Sequence, residues 1–144
     1  MFRIQGIDHL VLRTSRPHRL ISFYCDALGC VVEREVGQVG LTQLRAGSSL
    51  IDIIDVTAPE DTGAIDPSKE MRRNLDHFCL RVDPFDFAQL DEHFARFNVE
   101  IRKVELVYGA QGYGPAVYLQ DPEGNTVELK GPTTDSADDP DACV

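Results

Sequence analysis

The chain has 144 residues, 42% hydrophobic and 26% charged, with 14 Lys and Arg against 24 Asp and Glu for a formal charge of −10. That length suits one domain with one sizeable core. The acidic balance argues against a nucleic-acid ligand and against an anionic membrane surface, which both call for clustered Lys and Arg. No apolar run reaches the roughly 18 residues of a spanning helix, and MFRIQGIDHL lacks the apolar core and cleavage site of a signal peptide. The expectation is a soluble, cytoplasmic protein without nucleic-acid or membrane partners.

In chain order, I-D-H-L-V-L-R-T (7–14) alternates like a strand. Ser15-Arg16-Pro17 then signals a helix start, with Ser15 as cap candidate and Pro17 in the first turn. Leu20, Phe23, Tyr24 and Ala27 recur at helical spacing, and Gly29 is a plausible stop. A strand-like run follows over 30–36, and 41–46 and 49–56 flank a turn at Gly47-Ser48. Residues 57–74 are long for a plain connection.

Residues 75–82, L-D-H-F-C-L-R-V, then repeat the first strand. Asp8/Asp76, His9/His77, Leu12/Leu80 and Arg13/Arg81 are identical pairs at an offset of 68. Asp83-Pro84 gives the same kind of helix start. Phe87, Leu90, Phe94 and Phe97 carry the helical spacing, and Asn98 is the stop. A strand-like run over 99–107 follows, and 116–120 and 125–130 flank Asp-Pro-Glu-Gly, a strong turn signal. The last residues, 133–144, hold four Asp and no Lys or Arg, and read as a disordered acidic tail.

Each half therefore reads β-α-β-β-β. The predicted fold class is α+β: one domain, 1–132, of two tandem βαβββ modules (5–56 and 75–132) joined by the crossing 57–74. Modules this small are expected to pair into one curved mixed sheet, with the helices on its outer side. Cys25, Cys30, Cys79 and Cys143 form no metal-ribbon spacing. The first three sit among apolar residues and read as small buried thiols. His18 and His93 fall in the helices and read as solvent-facing.

The repeat also organises the chemistry. Asp52 in L-I-D-I-I (50–54) and Glu128 in T-V-E-L-K (126–130) occupy equivalent positions, each between two aliphatic residues. With period-two alternation the acids face away from the aliphatic pairs, on a side His9 and His77 can share. A histidine in a strand is often a satisfied structural residue, and an acid between aliphatics is often the solvent-facing residue of a half-buried strand. Two of each at matched positions are harder to dismiss, and leave a cleft holding a divalent metal open beside those structural readings. Imidazole and carboxylate donors suit Zn, Ni, Co, Mn or Fe without choosing among them. If Asp52 is too short to reach, His9, His77 and Glu128 make a two-His-one-carboxylate set. The stretch 107–115, V-Y-G-A-Q-G-Y-G-P, reads as a loop in which Tyr108, Gln111 and Tyr113 offer groups to a substrate, or as a plain hairpin tip. Arg13 and Arg81 are candidates for an anionic substrate or for a neighbouring acid.

The stretches IDHLVLR, ISFYCDALGCVVERE, SLIDIID, NLDHFCLRV and VYLQDPEGNTVELKGP resemble the vicinal oxygen chelate superfamily, the glyoxalase, bleomycin-resistance and extradiol-dioxygenase group. F-Y-x-x-x-L-G and D-P-E-G-N-x-x-E-L are the most specific parts. The resemblance implies paired βαβββ modules around a metal, often in a homodimer, and bidentate binding of vicinal oxygens of a small-molecule substrate. It also implies His9, His77 and Glu128 as metal ligands. Asp52 falls where glyoxalase-I-like members have a glutamate ligand, so it is a direct ligand, a ligand through water, or a base beside the metal. The function implied first is a lactoylglutathione-lyase-like lyase or isomerase, with Glu128 or Asp52 moving a proton. The alternatives are an Fe(II) extradiol-type dioxygenase and an antibiotic-resistance or small-molecule-binding protein.

Overall fold

The computed structural model describes residues 6–58, 75–102 and 104–134. Most of the expected crossing (57–74) and of the acidic tail (133–144) lies outside these residues. The chain divides into two compact units, 1–72 and 73–144. The first contains β1 (His9–Thr14), α1 (Pro17–Ser22) running on into a π-helical turn (Phe23–Ala27), β2 (Val31–Val36), a 3-10 turn (Gly37–Val39), β3 (Leu41–Ala46) and β4 (Ser49–Asp55). The second contains β5 (His77–Arg81), α2 (Phe87–Ala95), β6 (Val104–Gly109), β7 (Gly112–Gln120) and β8 (Thr126–Lys130). Each module builds a four-stranded sheet, in the orders β1-β4-β3-β2 and β5-β8-β7-β6. The ladders are thus more finely divided than the one sheet the repeat suggests. In both, the first strand pairs parallel with the last and the other pairs are antiparallel. The fold is the expected α+β class with tandem βαβββ modules.

Alternation explains which face is buried. Along β4, Ile51 and Ile53 join Leu12 of β1 and Leu44 of β3 in the core, with Leu20 and Tyr24 of the helical segment. In the second module Val117, Leu119, Val127 and Leu129 are buried, as is Phe94 of α2. Each fully buried side chain of this size contributes roughly 1.5–3 kcal/mol. The helical segment of module one gives way at Gly29 (φ 73°), and the turn after α2 reaches Asn98 (φ 56°), the two stops the sequence marks.

The helix starts differ from expectation. Arg16, not Ser15, takes the cap position of α1 and makes no side-chain cap. Thr14 Oγ1 instead accepts the Arg16 N–H at 2.9 Å. In α2 the cap is Asp86, whose Oδ1 accepts the Gln89 N–H at 3.0 Å, so the helix starts after Asp86 rather than at Asp83-Pro84. The strand predicted over 99–107 begins only at Val104. The stretch 107–115 is not an open loop. β6 and β7 run through it, with Gly109 paired to Gly112 across a two-residue tip and Tyr108 set edge-to-face against Tyr113 with ring centroids 5.1 Å apart. Asp121 is 4% exposed and fixes the last turn. Its Oδ1 accepts the N–H groups of Glu123 and Asn125, and its Oδ2 accepts Asn125 Nδ2 at 2.7 Å. That turn sets the β7–β8 register, which places Tyr118 opposite Glu128.

Cys30 is buried and Cys25 half-buried, but Cys79 is exposed. It follows His77 by two positions and so shares the open face with it. No helix among the described residues is long and apolar enough to cross a membrane. Since Phe94 is the largest side chain that α2 buries, Phe94→Ala is expected to lower unfolding free energy by about 3–5 kcal/mol, measured by urea denaturation.

Candidate functional site

The two carboxylates predicted between aliphatic pairs lie in the sheet interiors. Asp52 is 6% exposed and Glu128 5% exposed. Burial of an unanswered carboxylate is costly, and each module answers it differently. In module one, Gln43 sits directly across the ladder from Asp52, and its Nε2 donates to Oδ1 at 3.1 Å and Oδ2 at 3.0 Å. In module two the cross-strand position belongs to Tyr118, and the partner of Glu128 is His77, with Nε2 3.0 Å from Oε2. The Tyr118 ring stands edge-on to the His77 ring, with centroids 5.7 Å apart.

The parallel pairing places the histidines. Val11 is in register with Asp52 and Cys79 with Glu128, and the histidines precede them by two positions, on the same faces. Behind each imidazole stands the preceding aspartate. Asp8 Oδ1 lies 2.7 Å from His9 Nδ1, and Asp76 Oδ2 lies 2.7 Å from His77 Nδ1. In both modules an exposed aspartate occupies Nδ1, and in His77 the other nitrogen, Nε2, faces Glu128; an aspartate on Nδ1 is the arrangement that orients metal-bound imidazoles. The Asp8 hydrogen bond raises the His9 pKa above its ordinary value; slight desolvation opposes it, and the Asp52 and Asp8 charges add to the rise.

Cys79 adjoins Glu128. Burial pushes its thiol up to about 11, with the charge and hydrogen bond of Glu128 adding and Lys130 opposing. It is therefore a neutral thiol at physiological pH, not a ready thiolate ligand. A cavity of about 240 Å³ opens beside His77, lined by Leu75, Asp76, His77, Gly124, Asn125 and Thr126.

The four predicted ligands thus stand as two His–carboxylate pairs, one in each module. Among the described residues no three His, Cys, Asp or Glu gather in a group that could hold a metal ion. Of the candidate substrate residues, Gln111 and Arg81 line one cavity in module two. Tyr108, 73% exposed, pairs with Tyr113, which alternates onto the face of Val117 and Leu119 rather than that of Glu128. Arg13 is half-buried on β1. His18 is exposed, while His93 packs against Phe94 and Phe97. Sequence reasoning missed Gln43, Tyr118 and the role of the two aspartates. The repeated Asp-His dipeptide was the available signal for the last.

Residues 6–129 match the model of the Glyoxalase/Bleomycin resistance protein/Dioxygenase superfamily. No curated protein matches the sequence. Among solved structures, an integron cassette protein from the mobile metagenome of V. pseudocholerae is 24% identical, over 93% of this chain and 99% of that one, with a TM-score of 0.72. A Salmonella typhimurium virulence protein is 22% identical over 90% and 98% of the two chains, with a TM-score of 0.68. A lactoylglutathione lyase from Agrobacterium tumefaciens is 21% identical over 89% and 94%, with a TM-score of 0.61. At these identities the likeness is one of fold.

Gln43 is what satisfies Asp52. Gln43→Leu is expected to destabilise the metal-free protein by about 1–3 kcal/mol. The double variant Gln43→Leu/Asp52→Leu should recover much of that loss in urea denaturation, because both polar partners are then gone.

Proposed function

The chain belongs to the Glyoxalase/Bleomycin resistance protein/Dioxygenase superfamily, and on that premise we propose that it is a metal-dependent lyase or isomerase of glyoxalase type acting on a small molecule with vicinal oxygens. The observation that carries the reading is the duplicated Asp–His unit beside a buried carboxylate: Asp8–His9 with Asp52, and Asp76–His77 with Glu128. The donor set fits a divalent cation, since each imidazole has Nδ1 held by an aspartate, His77 turns Nε2 toward Glu128, and both carboxylates are buried oxygen donors. In the proposed arrangement His9, His77 and Glu128 hold the ion, drawn from Zn, Ni, Co, Mn or Fe. Asp52, one methylene shorter than glutamate, acts as the base beside it.

When bound, the ion supplies polarisation of a substrate carbonyl or hydroxyl oxygen and stabilises enediolate-like charge. The protein's own residues move the proton. Asp52, both oxygens held by Gln43, takes a proton from the carbon next to the polarised carbonyl and returns it to the neighbouring carbon. Asp8 and Asp76 keep the imidazoles in one tautomer and orientation. Tyr118 restricts the swing of His77 through the ring contact. The reading includes a homodimer, as the family resemblance implies.

Metal analysis tests this directly. The purified chain should carry a stoichiometric divalent ion, and His77→Ala and Glu128→Gln should lose it. Unchanged metal content in His77→Ala would overturn the site. With Ni²⁺ or Zn²⁺, conversion of the hemithioacetal of methylglyoxal and glutathione is expected, falling roughly 10²–10⁴-fold in Asp52→Asn. Oxygen-dependent cleavage of a catechol by the Fe²⁺-loaded protein, without isomerase activity, would instead assign the dioxygenase chemistry.

A further inference from the structure

Lys130 closes β8 two positions after Glu128, on the same face of the sheet. It is only 6% exposed. A lysine this buried is uncommon without a partner. Among the described residues no hydrogen bond or ion pair to its ammonium is present. The chain instead clears a slot for it. A Cβ at Gly109 would lie 3.0 Å from Lys130 Cε, and a Cβ at Gly114 would lie 2.8 Å from Nζ. Glycine inside a strand weakens it and marks a close approach, and here two glycines of β6 and β7 admit one lysine. The Gly114 position is also 2.7 Å from the Pro132 carbonyl oxygen and 3.1 Å from that of Gly131. The Lys130 ammonium and the two carbonyl oxygens thus crowd the same Gly114 position, and Gly131 and Pro132 also wall a cavity.

That cavity is about 210 Å³ and is lined by Arg81, Val82, Asp83, Gln111, Gly131 and Pro132. Arg81 is the ladder neighbour of Lys130 in the parallel β5–β8 pairing and follows His77 and Cys79 on the open face. Arg81 lines this space, with Asp83 the only acid among its lining residues, and the Lys130 ammonium approaches it from the Gly114 side of the Gly131–Pro132 wall. The volume falls below the roughly 300–1,000 Å³ of a whole small-molecule site, so it suits one functional group rather than an entire ligand.

We propose that Arg81 and Lys130, with Gln111, form an oxyanion subsite on the open face of module two that receives a carboxylate or phosphoryl group of the substrate. The assignment of the bound group to the substrate rests on the reading above. A desolvated ammonium attracts an anion more strongly than one in water. The Arg81 guanidinium, which lines the cavity, offers the two-pronged hydrogen bonding that carboxylate and phosphate oxygens match. The subsite makes the preferred substrate an anion, with its charged group on the Arg81 side of Glu128.

The test uses metal-free protein, so that failure of this subsite and failure of the metal reading are separate results. Inorganic phosphate and propionate are titrated into the ¹⁵N-labelled chain, and the amides of Gly109, Gly112, Gly114 and Gly131 are followed by NMR. Saturable shifts centred on these glycines are expected with at least one probe; phosphate alone assigns a phosphoryl group, and propionate a carboxylate. Lys130→Met, which keeps the stem and removes the charge, and Arg81→Gln, at an exposed position, should each weaken binding roughly tenfold or more. Arg96→Gln, on the exposed side of α2, should leave it unchanged. Absence of saturable shifts with both probes, or unweakened binding in both Lys130→Met and Arg81→Gln, overturns the proposal. If Lys130→Met does not fold, Arg81→Gln alone decides it.

Discussion

A carboxylate placed between two core aliphatics has to be answered by a nearby donor or cation, and each module of this protein is arranged around one such group. Ile51 and Ile53 carry Asp52 into the first sheet, and Val127 and Leu129 carry Glu128 into the second. Their own burial forces the acid between them onto the opposite face. There it is too enclosed for water to neutralise it cheaply. The parallel pairing of first and last strand then brings a histidine to that face in each module. An aspartate immediately before the histidine holds the far side of its ring.

The two modules use this frame unequally. In the first, Gln43 takes both oxygens of Asp52, and the register neighbour on β1 is the apolar Val11. In the second, His77 contacts Glu128 directly, Cys79 replaces the valine, and Tyr118 stands where the glutamine would be. Lys130 and Arg81 extend the same face toward the hairpin of β6 and β7. Module one thus holds its carboxylate by an amide, and module two sets its carboxylate against an imidazole beside an exposed thiol. The repeat accounts for the shared frame, and the different residues at the cross-strand positions account for the difference.

Much of this was legible because it rests on local patterns. The repeated L/I-D-H strand, the aliphatic–acid–aliphatic centre and the Asp-Pro-Glu-Gly turn each have a short-range signature, and they give the two modules, the order of elements along each and the burial of Asp52 and Glu128 beside the histidine strands. What was not legible depends on register. Nothing local in T-Q-L says that Gln43 faces Asp52, or in V-Y-L that Tyr118 faces Glu128; those pairings exist only once the hairpins close. Of the two readings of 107–115 the hairpin holds, and the loop, suggested by glycines that look like loop residues, does not. In the sheet two of them, Gly109 and Gly114, are the small residues that lie against Lys130. Cys79 looked buried by its neighbours' composition, whereas alternation from His77 places it on the open face.

The most direct measurement of the central claim is X-ray absorption of the metal-loaded protein at the metal edge. The account predicts a shell of nitrogen and oxygen only, with the multiple-scattering signature of two imidazoles, reduced to one in His9→Ala and in His77→Ala. A sulfur shell near the roughly 2.3 Å of a thiolate bond, or an imidazole count that neither substitution changes, would contradict it.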